Sequence, residues 1–205
     1  MHHFSIGLAT APTPLKSDYG FTLVELLVSL SVVAIITSVA APSFTALMKS
    51  TSISSSVNTF LADMRFARAE ALRRGGGVVM CRSDAPEAAT PACGTGSGPG
   101  GNGWVSGWII FHDLNNDGTK AAAEPLLRVQ SAITAPNSIV EMNVGSSSTK
   151  FSFSPTGRLS LGTSRGLQFG STPAYATGTQ RVVCINLGGR ARIAGDGSFS
   201  CTTDQ

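Results

Sequence analysis

Apolar positions are distributed very unevenly along this chain. From Leu26 to Met48, 23 consecutive residues carry no charge, and the run extends back to Phe21 with Glu25 as its only ionisable group. About 20 apolar residues in a helix cross the hydrocarbon core of a bilayer, so the pattern predicts a membrane-spanning helix over 21–48. The period then changes. Val57, Phe60, Leu61, Met64, Ala67, Ala71 and Leu72 recur at spacings of three and four, with Asp63, Arg65, Arg68, Glu70 and Arg73 mostly off that stripe. This predicts an amphipathic continuation of the helix over 49–76, its apolar face lying on a globular domain. Gly75, Gly76 and Gly77 end it, because glycine accepts the left-handed conformation of a helix C-terminus.

Beyond Gly77 the signals are short. Val78 to Arg82, Trp104 to His112, Leu126 to Gln130, Ile139 to Val144, Phe151 to Phe153 and Arg181 to Leu187 are rich in β-branched and aromatic residues and bounded by Gly, Pro, Asn or Ser. Such segments read as strands. Strands following one long helix predict an α+β domain over 77–205, with the helix packed on antiparallel sheet. Residues 94–103, six of them glycine, lack the Gly-Lys-Ser/Thr ending of a phosphate-binding loop and read as a flexible connection.

Composition narrows the class. The chain has 205 residues, room for one ordinary domain and an appendage, which excludes a large multidomain machine. Charged residues make up 13% and the formal net charge is +3, too apolar and too weakly charged for a disordered chain. After Met48 there are 14 Lys plus Arg against 10 Asp plus Glu, an excess of +4, and 11 of the chain's 15 cations are arginine. Arginine suits bidentate contact with carboxylate or phosphate. Cys81, Cys93, Cys184 and Cys201 all follow the apolar run. An even count behind a membrane segment favours an oxidising compartment and two disulfides, in any of three pairings. Cys81 with Cys93 and Cys184 with Cys201 is the preferred pairing, since each closes a local loop. Zinc is disfavoured: no Cys-x-x-Cys is present, and His112 is the only histidine after the first three residues.

Three readings compete for residues 1–48. A secretory signal peptide would use Ser38-Val39-Ala40 as its small-x-small cleavage site, but places Glu25 near the start of the apolar run, where an unpaired carboxylate is costly. A plain signal anchor explains the length and not the Glu. The third reading explains both: Gly20-Phe21-Thr22-Leu23-Val24-Glu25-Leu26-Leu27 resembles the class III cleavage and methylation signature of type IV pilins and pseudopilins. The resemblance implies a leader over 1–20, removed by a prepilin peptidase between Gly20 and Phe21, and N-methylation of Phe21. Glu25 would pair with the terminal amine of a neighbouring subunit, and the physics agrees, since a buried carboxylate needs a cationic partner. Pro42 matches the helix-kinking proline common in pilins, or alternatively marks the end of the span.

The globular part extends the resemblance. Trp104, Trp108, Phe111 and Asp113, the following Asn115-Asn116-Asp117-Gly118 and Glu124-Pro125-Leu126-Leu127, the segment Phe153-Ser154-Pro155-Thr156-Gly157, and Gly189-Arg190-Ala191-Arg192-Ile193 look like the GspH/FimT branch of the pseudopilins. Together with the N-terminal signature this covers most of residues 20–193. Members are non-enzymatic minor subunits of type II secretion pseudopili or type IV pili. The resemblance therefore implies a pilin-like fold, a single pass through the bacterial inner membrane with the C-terminal domain periplasmic, and other minor and major pilins or pseudopilins as partners.

Two constellations suggest further chemistry. Asp113, Asn115, Asp117, Gly118 and Glu124 match the EF-hand calcium loop in every specified position, although the preceding residues read as strand and Pro125 discourages a following helix. The competing reading is a hairpin connection whose Asp and Asn side chains bond their own backbone. Gly189-Arg190-Ala191-Arg192 matches a motif associated with DNA binding in FimT-type minor pilins. If a three-residue loop joins the last two strands, Val183, Ile185, Ala191 and Ile193 share a buried face and Arg190 and Arg192 take the other. A two-residue turn at Gly188-Gly189 shifts the register and puts both arginines on the face of Ile185 and Leu187. In the first case the pair would contact phosphates weakly and without sequence preference, helped by Arg158, Arg165 and Arg181. The equally weighted alternative is solvated charge that discourages edge aggregation.

Catalysis finds little support. His112 has Asp113 only as a chain neighbour, and no Gly-x-Ser-x-Gly elbow is present. The expectation is thus a minor pilin or pseudopilin without enzymatic activity and without a cofactor, with DNA binding or a calcium-dependent domain as alternatives.

Overall fold

The computed structural model of the chain describes residues 20–142, 149–160 and 165–201. Contacts divide it into two units, 1–43 and 44–205. One helix, α1, is assigned from Leu23 to Arg74, with Pro42 inside it and not at its end.

In the first unit, Thr22 caps the helix: the Glu25 amide donates to Thr22 Oγ1 at 3.2 Å and the Leu26 amide to the Thr22 carbonyl at 3.1 Å. Glu25, three residues on, adds a carboxylate to the positive end of the helix. The large apolar side chains of this stretch are exposed, from Phe21 at 84% through Val28, Val33 and Ile36. Its hydroxyls are turned inward, Ser29, Ser31, Thr37 and Ser38 donating to carbonyls three or four residues back. Such bonding hides polar groups from a surrounding apolar medium.

The second unit buries the other half of α1. Ile53, Val57, Phe60, Leu61, Met64, Ala67 and Ala71 form its inner stripe. Two positions depart from the sequence pattern. Leu72 lies just outside the stripe and is exposed, whereas Asp63, expected off the stripe, is buried. The helix ends as the triple glycine predicts, the Gly76 amide reaching the Ala71 carbonyl at 2.7 Å in a Schellman-type closure.

Strands β1 (Val78–Arg82), β2 (Trp108–His112), β3 (Leu126–Gln130), β4 (Ile139–Glu141), β5 (Lys150–Phe153), β6 (Arg165–Phe169), β7 (Arg181–Ile185) and β8 (Ala191–Gly195) follow. They build two four-stranded antiparallel sheets, in the orders β3-β2-β1-β5 and β4-β6-β7-β8. The expected strand from Trp104 starts only at Trp108, because Trp104 to Ser106 form a 3-10 turn. The expected strand to Val144 is assigned to Glu141, and 143–148 lie outside the described residues. Strand β6 has no counterpart among the sequence expectations.

Phe60 joins helix and sheets. Its ring stands edge-on to Trp104, Trp108, Phe151 and Phe169, with centroids 5.6 to 6.1 Å apart. Trp108 and Phe151 belong to the first sheet and Phe169 to the second, so one helical side chain packs on both. Such edge-to-face pairs add to the burial of each ring. Strand β1 is buried on both faces: Val78 and Met80 enter this core, while Val79 and Cys81 pack with Ile109 and Phe111 in a second cluster bordered by Cys93.

The glycine-rich loop over 94–103 is docked and not a free connection. Arg82, buried at the end of β1, donates to the Thr95 carbonyl at 2.6 Å and pairs with Asp84, and the Gly94 amide returns to the Arg82 carbonyl at 2.7 Å. A buried guanidinium requires such partners, and the loop supplies one of them through Thr95. Cys81 is bonded to Cys93 and Cys184 to Cys201, closing loops of 12 and 17 residues.

Candidate functional site

Three places stand out in the sequence, and each has a distinct setting. At the first, Gly20 and Phe21 are exposed and precede the helix, and Glu25 lies in its first turn among exposed apolar side chains. An 18-residue window of α1 has mean hydropathy 2.3 with none of it buried within the chain. This surface requires lipid or another protein around it. Residues 1–19, the leader expected before Gly20, lie outside the described residues.

The second place is the loop from Asp113 to Glu124, between β2 and β3. Asp113 Oδ2 accepts from the Gly118 amide at 2.7 Å, while Glu124 accepts from the amides of Leu114 at 2.9 Å and Ala121 at 2.8 Å. Asn115 and Asp117 bond each other, and Asp117 also accepts from the Thr119 amide at 2.6 Å, which holds its carboxyl below the usual aspartate value. The side chains thus fold the loop on itself. Asp113 Oδ1 is buried without a hydrogen-bond partner, yet no group of three or more His, Cys, Asp or Glu side chains is arranged to hold a metal among the described residues. Here the side-chain oxygens of Asp113, Asn115, Asp117 and Glu124 accept from backbone amides of their own loop.

The third place is the β7–β8 hairpin. Ile185 stands opposite Ala191 and Val183 opposite Ile193, and the Asn186 amide bonds the Arg190 carbonyl at 3.0 Å. Of the two registers open to the sequence, this is the one with a three-residue loop, 187–189. Asn186 selects it: its carbonyl accepts from the Gly189 amide at 2.9 Å and its Oδ1 from the Arg190 amide at 3.1 Å. The shared buried face is only partly realised. Val183 and Ile185 are buried and Ala191 is half-buried, but Ile193 on the edge strand is 48% exposed. Arg190 and Arg192 lie at the surface.

Helix α1 closes the other side. Met64, Arg65 and Arg68 face Asn186, Gly189, Arg190, Ala191 and Arg192 across a cleft of about 450 Å³. Gly189, which lines it, is in close contact with Gly157, a glycine that the sequence gives no reason to connect with it. Gly189, at φ +73°, lies so close to Gly157 that a β-carbon there would sit 2.2 Å from the Gly157 carbonyl oxygen. One added at Gly157 would in turn meet Arg68 Nε at 2.9 Å. The Leu159 amide donates to the Leu187 carbonyl at 3.0 Å beside them. Segments from two separate sequence motifs, Phe153 to Gly157 and Gly189 to Arg192, thereby meet under one helical arginine.

Of the expected helpers, Arg181 is spent: its Nη1 donates to the carbonyls of Gly178, Thr179 and Gln180. Arg158 does not line the cleft. The side chain of Arg165 is not among those described. Sequence reasoning misses Arg65 and Arg68 as members of this site. Their spacing of three residues is legible as one helical face, but not that this face meets the hairpin.

Residues 56–189 match the family model described as type II transport protein GspH, and residues 15–41 match that of the prokaryotic N-terminal methylation motif. No curated protein sequence gives a significant match. Among solved structures, the chain is similar to the Pseudomonas aeruginosa type IV minor pilin FimU in a P21 crystal, with TM-score 0.50 and 19% identity over 73% of this chain and 92% of that one. The P65 crystal of FimU gives TM-score 0.47 and 19% identity over 72% and 96%.

Proposed function

Because this chain belongs to the GspH family of type II transport proteins, we propose how its residues serve a minor pilin or pseudopilin. The family is one of structural subunits, and its members work by assembly, not catalysis. Cleavage after Gly20 frees Phe21, which is then N-methylated. The mature helix stores the subunit in the inner membrane with the β-rich domain on the periplasmic side. It later moves into a type II secretion pseudopilus or type IV pilus.

The observation that carries this reading is the contrast along α1. From Phe21 to Met48 the helix exposes its large apolar side chains, whereas from Ile53 onward the same helix buries a continuous stripe. The first half therefore needs an apolar environment that the chain does not supply. Lipid meets that need before assembly and the helices of other subunits meet it afterwards. Glu25 has no ion-pair partner among the described residues. In a filament core its charge is tolerable only against a cation, and the amine released at Phe21 of an adjacent subunit is one.

The test is the N-terminus of the protein recovered from membranes of cells with and without prepilin peptidase. Mass spectrometry should find a chain beginning with methylated Phe21 in the first case and one retaining its leader in the second. Cleavage elsewhere, for instance after Ala40, would show a secretory signal peptide and overturn the reading.

A further inference from the structure

Charge is missing from one end of the second unit. Residues 44–62 of α1 and the loops 131–138 and 170–180 contain a single charged side chain between them, Lys49. These three segments are joined. The Lys49 ammonium donates to the Ala174 carbonyl at 2.7 Å and lies 5.6 Å from the centroid of the Tyr175 ring, while Ser56 Oγ donates to the Ala135 carbonyl. The loops also hold each other: Asn137 Nδ2 donates to Ser171 Oγ at 2.9 Å, and the Ser171 amide donates to Asn137 Oδ1 at 3.1 Å. Together they make a rigid collar against α1 at the level of Lys49 to Ser56.

The surface of the collar is neutral and rich in hydroxyls. Thr51, Ser55, Thr134 and Thr172 are exposed beside Ala132 and Pro173. Met48, Thr51, Ser52 and Ser55 line a groove of about 420 Å³ between the helix and the first loop. The border with the charged part of the domain falls where that loop leaves β3, at Ser131, whose Oγ donates to Glu87. On the other side of Lys49, the large apolar side chains of Phe44, Leu47 and Met48 are exposed.

We propose that the collar seats on the phospholipid headgroup layer while the subunit is stored in the membrane, with Lys49 turned to lipid phosphate and the neutral hydroxyls around it. An apolar medium that covers Phe44, Leu47 and Met48 brings its polar boundary to Lys49, the first charge after the run. From Lys49 to Ser56 the helix rises about 10 Å at 1.5 Å per residue, comparable with the roughly 5–8 Å of headgroup region on each side of the hydrocarbon core. Ions entering that layer would have to shed water. The collar brings none except a cation, which anionic phosphates attract. Lysine and tyrosine, each with an apolar body and a polar tip, suit this boundary. The inference rests on the membrane reading above and adds to it a lipid contact made by the folded domain.

The experiment places the full chain, isotope-labelled at its alanine methyl groups, one copy per lipid nanodisc containing phosphatidylglycerol. It measures the line broadening caused by a spin label on the lipid headgroups. Ala132, Ala174 and Ala176 should broaden strongly. Ala121, Ala122 and Ala123 should not, because their loop lies at the end of the domain where α1 stops, the Asp113 amide bonding the Gly77 carbonyl. Lys49→Gln and, separately, Thr134→Glu/Thr172→Glu should lower the broadening at Ala132 and Ala174 about twofold or more, since each alters the charge facing an anionic surface. Ala122→Glu, in the distant loop, should leave it unchanged, and melting curves establish that each variant is folded. Equal broadening at Ala132, Ala174 and Ala122 would mean a domain without a fixed seat and overturn the inference, as would broadening unchanged in the folded charge variants. A second spin label, in the acyl chains, reads the anchor separately. Broadening at Ala34 from that label, with none at Ala132 from the headgroups, would leave the span intact and overturn the seat, whereas none at Ala34 would remove both.

Discussion

The indole Nε1 of Trp108 donates a hydrogen bond to Oδ2 of Asp63 at 2.8 Å, linking the first residue of β2 to the middle of the helix. The other carboxylate oxygen accepts from Arg128 at 2.6 Å, and the Arg128 guanidinium lies 4.0 Å from the centroid of the Phe66 ring. Asp63 is thus a charge inside the helix–sheet interface, with both oxygens satisfied from strands 45 and 65 residues away. Removing one member leaves the others without partners.

Asp63→Ala should destabilise the folded domain by about 1–3 kcal/mol, the cost of stranding the Trp108 donor and an unpaired Arg128. Trp108→Phe should be destabilising in the same direction, and the double variant should cost less than the sum of the two. Urea unfolding of the full chain in detergent measures all three. Additive losses would show that Asp63 and Trp108 do not act as a pair.

Gly189→Ala strains the backbone and meets the Gly157 carbonyl. At φ +73° an added β-carbon costs on the order of 1–2 kcal/mol by conformation alone, and the 2.2 Å approach forces the two loops apart. The melting temperature should fall markedly. Gly178→Ala, where no atom lies within 4 Å of the new carbon, is the matched control and should change little.

Glu70 accepts hydrogen bonds from Arg73 and Arg74, and these hold its carboxyl down from 4.5 to about 2. A carboxylate with a depressed folded pKa contributes stability above its unfolded value and loses it as pH falls through the folded one. The difference in stability between the wild type and Glu70→Gln should therefore be present at neutral pH and disappear between pH 4.5 and about 2. It should stay within about 1 kcal/mol, because Arg73 is largely exposed. A difference constant across that window would mean that Glu70 contributes by packing and not charge.

The loop from Asp113 to Glu124 closes through its own side chains, so chelator and millimolar calcium should leave the melting temperature unchanged. A rise with calcium would instead show that the unpartnered Asp113 Oδ1 takes a cation and that the loop rearranges around it.

Local patterns make half of this molecule legible. The uncharged run to Met48 and the stripe from Val57 to Ala71 are properties of consecutive residues, and the structure places them on the exposed and buried parts of α1. Asp63 reads as surface in the sequence because nothing near it announces its partners. Strand β6 escapes detection because Gly166 interrupts its apolar pattern. That glycine stands opposite Cys184, and a β-carbon there would come within 2.8 Å of the Cys201 sulfur, so the disulfide requires the small residue. The hairpin register stays open in the sequence and is decided by Asn186, whose side chain closes the turn. At the arginine cleft, spacing identifies each wall separately, whereas their meeting depends on a helix–hairpin contact across more than 100 residues of chain.

We propose that the exposed half of α1 enters a filament and that Glu25 matches each subunit to the next. The most direct measurement is the amount of the subunit in sheared filaments, with wild type and Glu25→Ala expressed at equal membrane levels and cleaved alike. The variant should be processed after Gly20, accumulate in the inner membrane and be strongly depleted from filaments. Incorporation of Glu25→Ala at the wild-type level would contradict it.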